Sequence, residues 1–367
     1  MKKYIYLCDI LYIIYMQIKK HIQFYINFIN YKGGAAMEYR KLISFGRNSY
    51  VLSMPKPWVV KNRLKKGDLI SVVDNGNELS ISLNNNQSAQ AEPKEITINA
   101  KNKNIDIIRA EIVSAYLNNY DTVSIFSNNL GNDAVEIKNI LRNLTGMEIM
   151  EQTSKSIIAK DLINKNEISL KTIIRRMDTI TRAMIDDAIE SIGSESRYES
   201  IDQRDNDVNR LHFLAYRVIK EAMKNPALAK SFKMPQWELL VSRSIVERIE
   251  KIADRQKRIA RYLKMISLKK PVAKELKELY SGIKDKYLDA MKAYYNNDKK
   301  LAFEVEVTNK ERIFACETFH SKSTGCPIRR RRGGMHSYCT ELSRVVENLK
   351  AMTTSIKNIS RAVIGMD

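Results

Sequence analysis

Residues 245–263 read IVERIEKIADRQKRIARYL, and residues 345–363 read VVENLKAMTTSIKNISRAV. In the first stretch Ile245, Ile249, Ile252, Ile259 and Leu263 are spaced by three, four or seven residues, which puts them on one face of a helix. Val345, Leu349, Met352, Ile359 and Val363 repeat that register one hundred residues later. A helical face that returns in the same phase argues for two copies of a helical unit rather than one long array.

The same helical rhythm holds from Ser169 onward. Leu170, Ile173, Met177, Ile180, Met184 and Ala188 line a first helix, and Val208, Leu211, Ala215 and Val218 line a second. Further helices are expected over about 272–295, 299–319 and 340–364. Single-faced helices bury their stripes against one another in bundles, here assigned to residues 166–265 and 266–367.

Upstream the rhythm changes. Residues 94–165 alternate strand (EITIN), helix (IDIIRAEIVSAYL), strand (DTVSIFS), helix (DAVEIKNILRNL) and two strands (EIMEQ, SIIAKDL), an order read as a small ferredoxin-like α+β domain. Residues 84–93 are polar and read as a linker. Before it, KLISF, SYVLSM, DLISVV and LSISL are short β segments punctuated by Gly46-Arg47-Asn48, Lys66-Gly67 and Asp74-Asn75-Gly76-Asn77. Residues 1–36 are expected to be a non-native leader, because Lys32-Gly33-Gly34 is encodable by a purine-rich ribosome-binding sequence placed before Met37. The apolar run at 4–16 is broken by Asp9 and is shorter than the roughly 20 residues that span a bilayer, so no membrane span is expected.

With 367 residues the chain is long enough for several domains. Its net charge of +20 points to an anionic partner, a nucleic acid, a membrane surface or an acidic protein, or else to lysine used for solubility. The four cysteines Cys8, Cys316, Cys326 and Cys339 form no even framework, which fits a reduced cytoplasmic compartment without disulfides.

The stretch Arg40-Lys41-Leu42-Ile43, Gly46 to Lys56, Trp58 and Leu64-Lys65-Lys66-Gly67-Asp68 resembles the SpoVT/AbrB swapped-hairpin family. The resemblance covers residues 38–83 and implies a dimer of interlaced hairpins that binds duplex DNA. Carried over by position, Arg47, Asn48 and Ser49 form the DNA-contacting turn, flanked by Arg40, Lys41 and Lys56. Arginine offers a forked donor to phosphate or guanine, and Asn and Ser bond base edges or phosphate oxygens. The plainer reading is a hairpin turn with a solvated basic face. Gly67-Asp68 is assigned to a turn, and Trp58 to the core.

Glu247-Arg248-Ile249-Glu250-Lys251-Ile252-Ala253-Asp254 and Arg204-Asp205-Asn206-Asp207-Val208-Asn209-Arg210-Leu211 resemble PhoU-like proteins. That resemblance implies repeated three-helix bundles and acidic pairs that hold metal. Glu250 with Asp254, and Asp205 with Asn209, each sit one helical turn apart and so share a face. As metal ligands these four suit a divalent or ferric ion: iron, manganese, magnesium or zinc. Asn209 departs from the pattern as a weaker ligand, and Lys350 and Thr354 replace Glu250 and Asp254 in the second copy. Against metal stands an ordinary solvated face neutralised by Lys251, Arg248 and Arg210. Cys316, His320, Cys326, His336 and Cys339 lack a Cys-x-x-Cys pair and have irregular spacing for zinc. The segment 326–339, CPIRRRRGGMHSYC, interrupts a helix pair as a basic loop or a frame error.

The expected fold is therefore multidomain α+β: a swapped-hairpin β domain (37–83), a small ferredoxin-like domain (94–165) and two mainly α PhoU-like three-helix bundles. No nucleophile motif or phosphate-cradling glycine loop is present, so an enzyme is not expected. The function implied is a DNA-binding, homodimeric transcriptional regulator of phosphate uptake. The alternatives are an accessory protein acting directly on a phosphate transporter subunit, or a metal-responsive regulator unrelated to phosphate.

Overall fold

The computed structural model describes residues 39–47, 49–74, 76, 79–83, 93–131, 133–164, 167–224, 228–229, 232, 234–324 and 337–366. The chain divides into two compact units, residues 1–89 and 90–367. The proposed leader and nearly all of the proposed linker lie outside the described residues.

Among the described residues the first unit has two hairpins and a short helix. Strands β1 (Ile43–Phe45) and β2 (Ser49–Val51) pair antiparallel, with Ile43 opposite Val51 and Phe45 opposite Ser49. Gly46 takes φ +74° in their turn, a left-handed conformation that costs glycine little. Helix α1 (Lys56–Lys61) follows, and then β3 (Ile70–Asp74) pairs with β4 (Leu79–Leu83). The Gly67-Asp68 pair serves a turn as expected, because Asp68 Oδ2 accepts the Lys65 N–H at 2.7 Å. None of the described side chains in this unit is buried. Trp58, read from sequence as core, is only half-buried, and Tyr39, Phe45, Tyr50 and Leu69 are each at least 70% exposed. Two short hairpins and one helical turn do not enclose an interior.

The second unit begins with β5 (Glu95–Asn99), α2 (Ile105–Leu117), β6 (Thr122–Phe126), α3 (Asp133–Arg142), β7 (Met147–Gln152) and β8 (Ser156–Asp161). The sheet order is β5-β6-β8-β7, with β5 parallel to β6 and the other neighbours antiparallel. This corrects the ferredoxin-like expectation, whose element order is βαββαβ. Here the order is βαβαββ, and the two final strands form the hairpin. Thr153 Oγ1 closes its turn by accepting the N–H groups of Lys155 at 3.1 Å and Ser156 at 2.9 Å. Asn104 caps α2 by accepting the Asp106 N–H at 3.0 Å. Ile108, Ile112, Val123, Ile125, Ile137, Leu141 and Ile157 fill the core between helices and sheet.

Six long helices follow: α4 (Leu170–Glu190), α5 (Tyr198–Lys224), α6 (Gln236–Leu263), α7 (Lys270–Asn296), α8 (Lys299–Thr324) and α9 (Ser337–Ile364). Ser169 caps α4, and Asn297 ends α7 in the left-handed conformation at φ 50°. All ten residues of the repeated stripe are buried, and α6 packs along α9. The two groups of three helices therefore share one continuous hydrophobic core, from Leu170 to Ile359, rather than enclosing two separate interiors. Buried polar groups pin the seam: Gln256 bonds the Tyr280 hydroxyl, and its Nε2 reaches Met352 Sδ at 3.3 Å. Among the described residues no helix is long and apolar enough to cross a membrane.

Candidate functional site

The four proposed metal ligands lie on the packed helices α5 and α6. Asp205 is buried because it falls on the inward stripe of α5 with Ile201 and Val208. Its Oδ2 accepts from Asn209 Nδ2 at 3.2 Å and from Lys257 Nζ at 3.1 Å. Lys257 also bridges to Asp202 Oδ1 at 2.8 Å. On α6, Asp254 is held one turn away by Arg258, with Nη2 to Oδ2 at 2.7 Å. The carboxylate of Glu250 has no hydrogen-bond or ion-pair partner among the described residues.

Electrostatics ties these groups together. Burial pushes the Glu250 carboxyl up to about 7, helped by the charges of Asp254 and Asp205 and opposed by Lys251. Asp205 is also raised, first by burial and against the pull of Lys257. Three carboxylates and one carboxamide thus lie near one another on the facing helices, oxygen donors of the kind a hard cation takes. Among the described residues, however, no three His, Cys, Asp or Glu side chains are gathered closely enough to hold a metal ion. Lys257 already places a positive charge against Asp205, so a cation there would have to displace it. The neutralising cations expected from sequence were different ones. Lys251 bonds Glu247 at 2.7 Å and acts on Glu250 only through its field, and among the described residues Arg210 Nε and Arg248 Nε are buried without hydrogen-bond partners.

Two polar groups stand out that the sequence reading passed over. His212, on α5, is half-buried, and desolvation depresses its ring to about 4. Arg217, farther along α5, is 2% exposed and reaches into the α+β subdomain, where its guanidinium pairs with Asp161 and donates to Asn119 Oδ1 at 2.6 Å. A charged residue between Leu214 and Val218, on an otherwise apolar stripe, is the signal that would have found it.

In the first unit Arg40, Lys41, Arg47, Ser49 and Lys56 are all exposed, and Asn48 lies outside the described residues. Arg47 sits at the β1–β2 turn, while Arg40 and Lys41 precede β1 at the other end of the hairpin, on the order of 10 Å away at about 3.3 Å per strand residue. Between residues 39 and 83 there are eight Lys and Arg against three Asp and Glu. Of the zinc-hairpin candidates, Cys316 is buried with its thiol raised to about 11 by burial, and the His320 Nε2 and Ser343 Oγ are 2.7 Å apart. Cys326, His336 and the Cys339 side chain lie outside the described residues.

Residues 174–263 match the family model described as the PhoU domain. The matched segment runs through α4 and α5 and stops where α6 stops, so it contains the acidic pairs. No curated protein matches the chain. The family match supports a PhoU-like regulator involved in the control of phosphate uptake.

Proposed function

We propose that this protein is a cytoplasmic, non-enzymatic, DNA-binding transcriptional regulator of phosphate uptake, with a SpoVT/AbrB-like first unit that meets duplex DNA as a dimer. The observation that carries the reading is the first unit itself. It presents a basic hairpin turn on a fold whose apolar side chains, among them Phe45, Tyr50 and Leu69, are left in water. Exposed apolar surface of that extent stabilises association rather than a lone chain. A second copy interlacing its hairpins would bury those side chains and set two basic turns side by side. The PhoU-matching helices would then supply the signal, by favouring one of two arrangements of the pair.

In this reading Asp205, Asn209, Glu250 and Asp254 would hold a divalent or ferric ion. The ion would supply positive charge to the carboxylates of Asp205, Glu250 and Asp254, and Lys257 would have to give way at Asp205. The PhoU match alone also favours a second reading, in which the helical region acts on a phosphate transporter subunit without DNA.

Full-length protein titrated with duplex DNA by fluorescence anisotropy separates the two. The regulator reading expects affinity to fall steeply between about 50 and 200 mM salt, and Lys41→Ala with Arg47→Ala to lower the log–log slope by about 2. A slope indifferent to both changes would falsify the assignment of the contacts.

A further inference from the structure

The polar face of helix α5 runs on past the acidic pairs, with Asn209 belonging to both surfaces. A crevice of about 290 Å³ opens between it and helices α2 and α3 of the α+β subdomain. Arg109 and Arg210 line it together with the carboxamides of Asn143, Asn206 and Asn209, the last held by Asp205, and Ile140 and Phe213 form part of an apolar wall. No carboxylate is among its described lining residues.

The side chains are in place without being used up. Arg210 Nε is buried and has no hydrogen-bond partner among the described residues. A buried guanidinium donor left unpaired is costly, and an anionic oxygen is the group that best relieves it. Arg109 is fixed by one ion pair, Nη2 to Glu136 Oε1 at 2.6 Å, with both side chains about half exposed. Asn143 and Asn206 are exposed; Asn206 Nδ2 donates to the Asp202 carbonyl at 3.2 Å, which turns its Oδ1 to the role of acceptor, and the Asn143 carboxamide offers both a donor and an acceptor, the combination that reads the edge of a heterocycle. The Phe213 ring offers a flat apolar surface, backed by His212 at 5.7 Å between ring centroids. The volume lies at the small end of the roughly 300–1,000 Å³ typical of ligand pockets.

We propose that this crevice binds a mononucleotide, with its phosphate on Arg210 and Arg109, its base against Phe213 and Ile140, and the base edge read by Asn143 and Asn206. This goes beyond the regulator reading and rests on neither DNA binding nor metal.

The test is calorimetric titration of the full-length protein with AMP, GMP, CMP and UMP, and separately with inorganic phosphate and with the matching nucleosides. A chelator is present throughout, so that the acidic site takes no part. At least one mononucleotide should bind, and tighter than either phosphate or its own nucleoside. Arg210→Met should weaken it about tenfold or more, and Asn143→Ala, on an exposed position that leaves the fold intact, should weaken it severalfold and alter the ranking of bases. Absence of binding by all four nucleotides overturns the proposal. Binding of phosphate as tight as that of the nucleotides overturns it in favour of a plain anion site. Nucleotide binding that is unchanged in Asn143→Ala and in Arg210→Met puts the ligand elsewhere and overturns it as well.

Discussion

Replacing Arg217 by Met tests the joint between the α+β subdomain and the helices. The guanidinium and the Asp161 carboxylate are each 2% exposed. Arg217 also donates to Asn119 Oδ1 at 2.6 Å, and its guanidinium carbon lies 4.5 Å from the centroid of the Tyr116 ring. Met keeps much of the length and apolar volume but strands the carboxylate. Breaking a buried pair from one side costs about 3–5 kcal/mol, because the remaining charge stays desolvated. Lost cation–π contact adds up to about 2 kcal/mol. Against this, Asp161 Oδ1 still accepts the Ile163 N–H at 3.2 Å. A net loss of about 3 kcal/mol is expected, confined to the subdomain, which corresponds to roughly a hundredfold faster amide exchange in β6 and β8 with α9 unchanged. The double variant Arg217→Met with Asp161→Leu removes both charges and should recover most of the loss. The reasoning is refuted if the single variant costs less than about 1 kcal/mol, or if the double variant loses as much as the two singles together.

Two further outcomes follow from buried groups on α6. Because the folded state raises the Glu250 carboxyl from 4.5 to about 7, it binds protons more tightly than the unfolded chain. The stability that Glu250 contributes is then present below pH 4.5 and is lost as pH rises toward 7, by at most about 3 kcal/mol at roughly 1.4 kcal/mol per pKa unit. Glu250→Gln should flatten that part of a urea-denaturation series and raise the midpoint at pH 8; an unchanged slope would count against the cluster. Tyr280→Phe leaves the buried Gln256 Oε1 without its hydroxyl donor, at a cost of about 1–3 kcal/mol. A shift in thermal midpoint too small to measure would show that the seam relaxes around the glutamine.

Where one face of a helix is apolar, the sequence pattern and the structure agree: the stripe from Ile245 to Leu263 and its copy from Val345 to Val363 are buried throughout. Helix α8 shows where that signal fails. Ala302, Val305 and Phe319 are buried while Phe303, Val307 and Phe314 are exposed, so apolar residues mark no single side. Sheet order was equally illegible, because the pairing of β8 with β6 joins residues thirty or more apart, and local periodicity carries no record of such partners. At the acidic site the i,i+4 spacing located Glu250 and Asp254 on one helix face, but the cation that answers Asp205 is Lys257, across the helix interface. Spacing within a helix names which groups share a face. It does not name what the neighbouring helix brings to them.

Helix α5 is a single rod of 27 residues, about 40 Å long at 1.5 Å per residue, on which Asp205 meets Lys257 of α6, Arg210 and Phe213 line the crevice against α2 and α3, and Asn209 takes part in both. A rod transmits torsion. Rolling it by about 20° moves side-chain tips, roughly 6 Å from its axis, by about 2 Å, and carries the Asp205 side and the crevice side together, because Asn209 belongs to both. Whatever turns one of these surfaces therefore turns the other, and the Arg217 pairing farther along is the anchor that resists the roll. The two surfaces share one rod and one side chain, with no wire of intermediate residues needed between them.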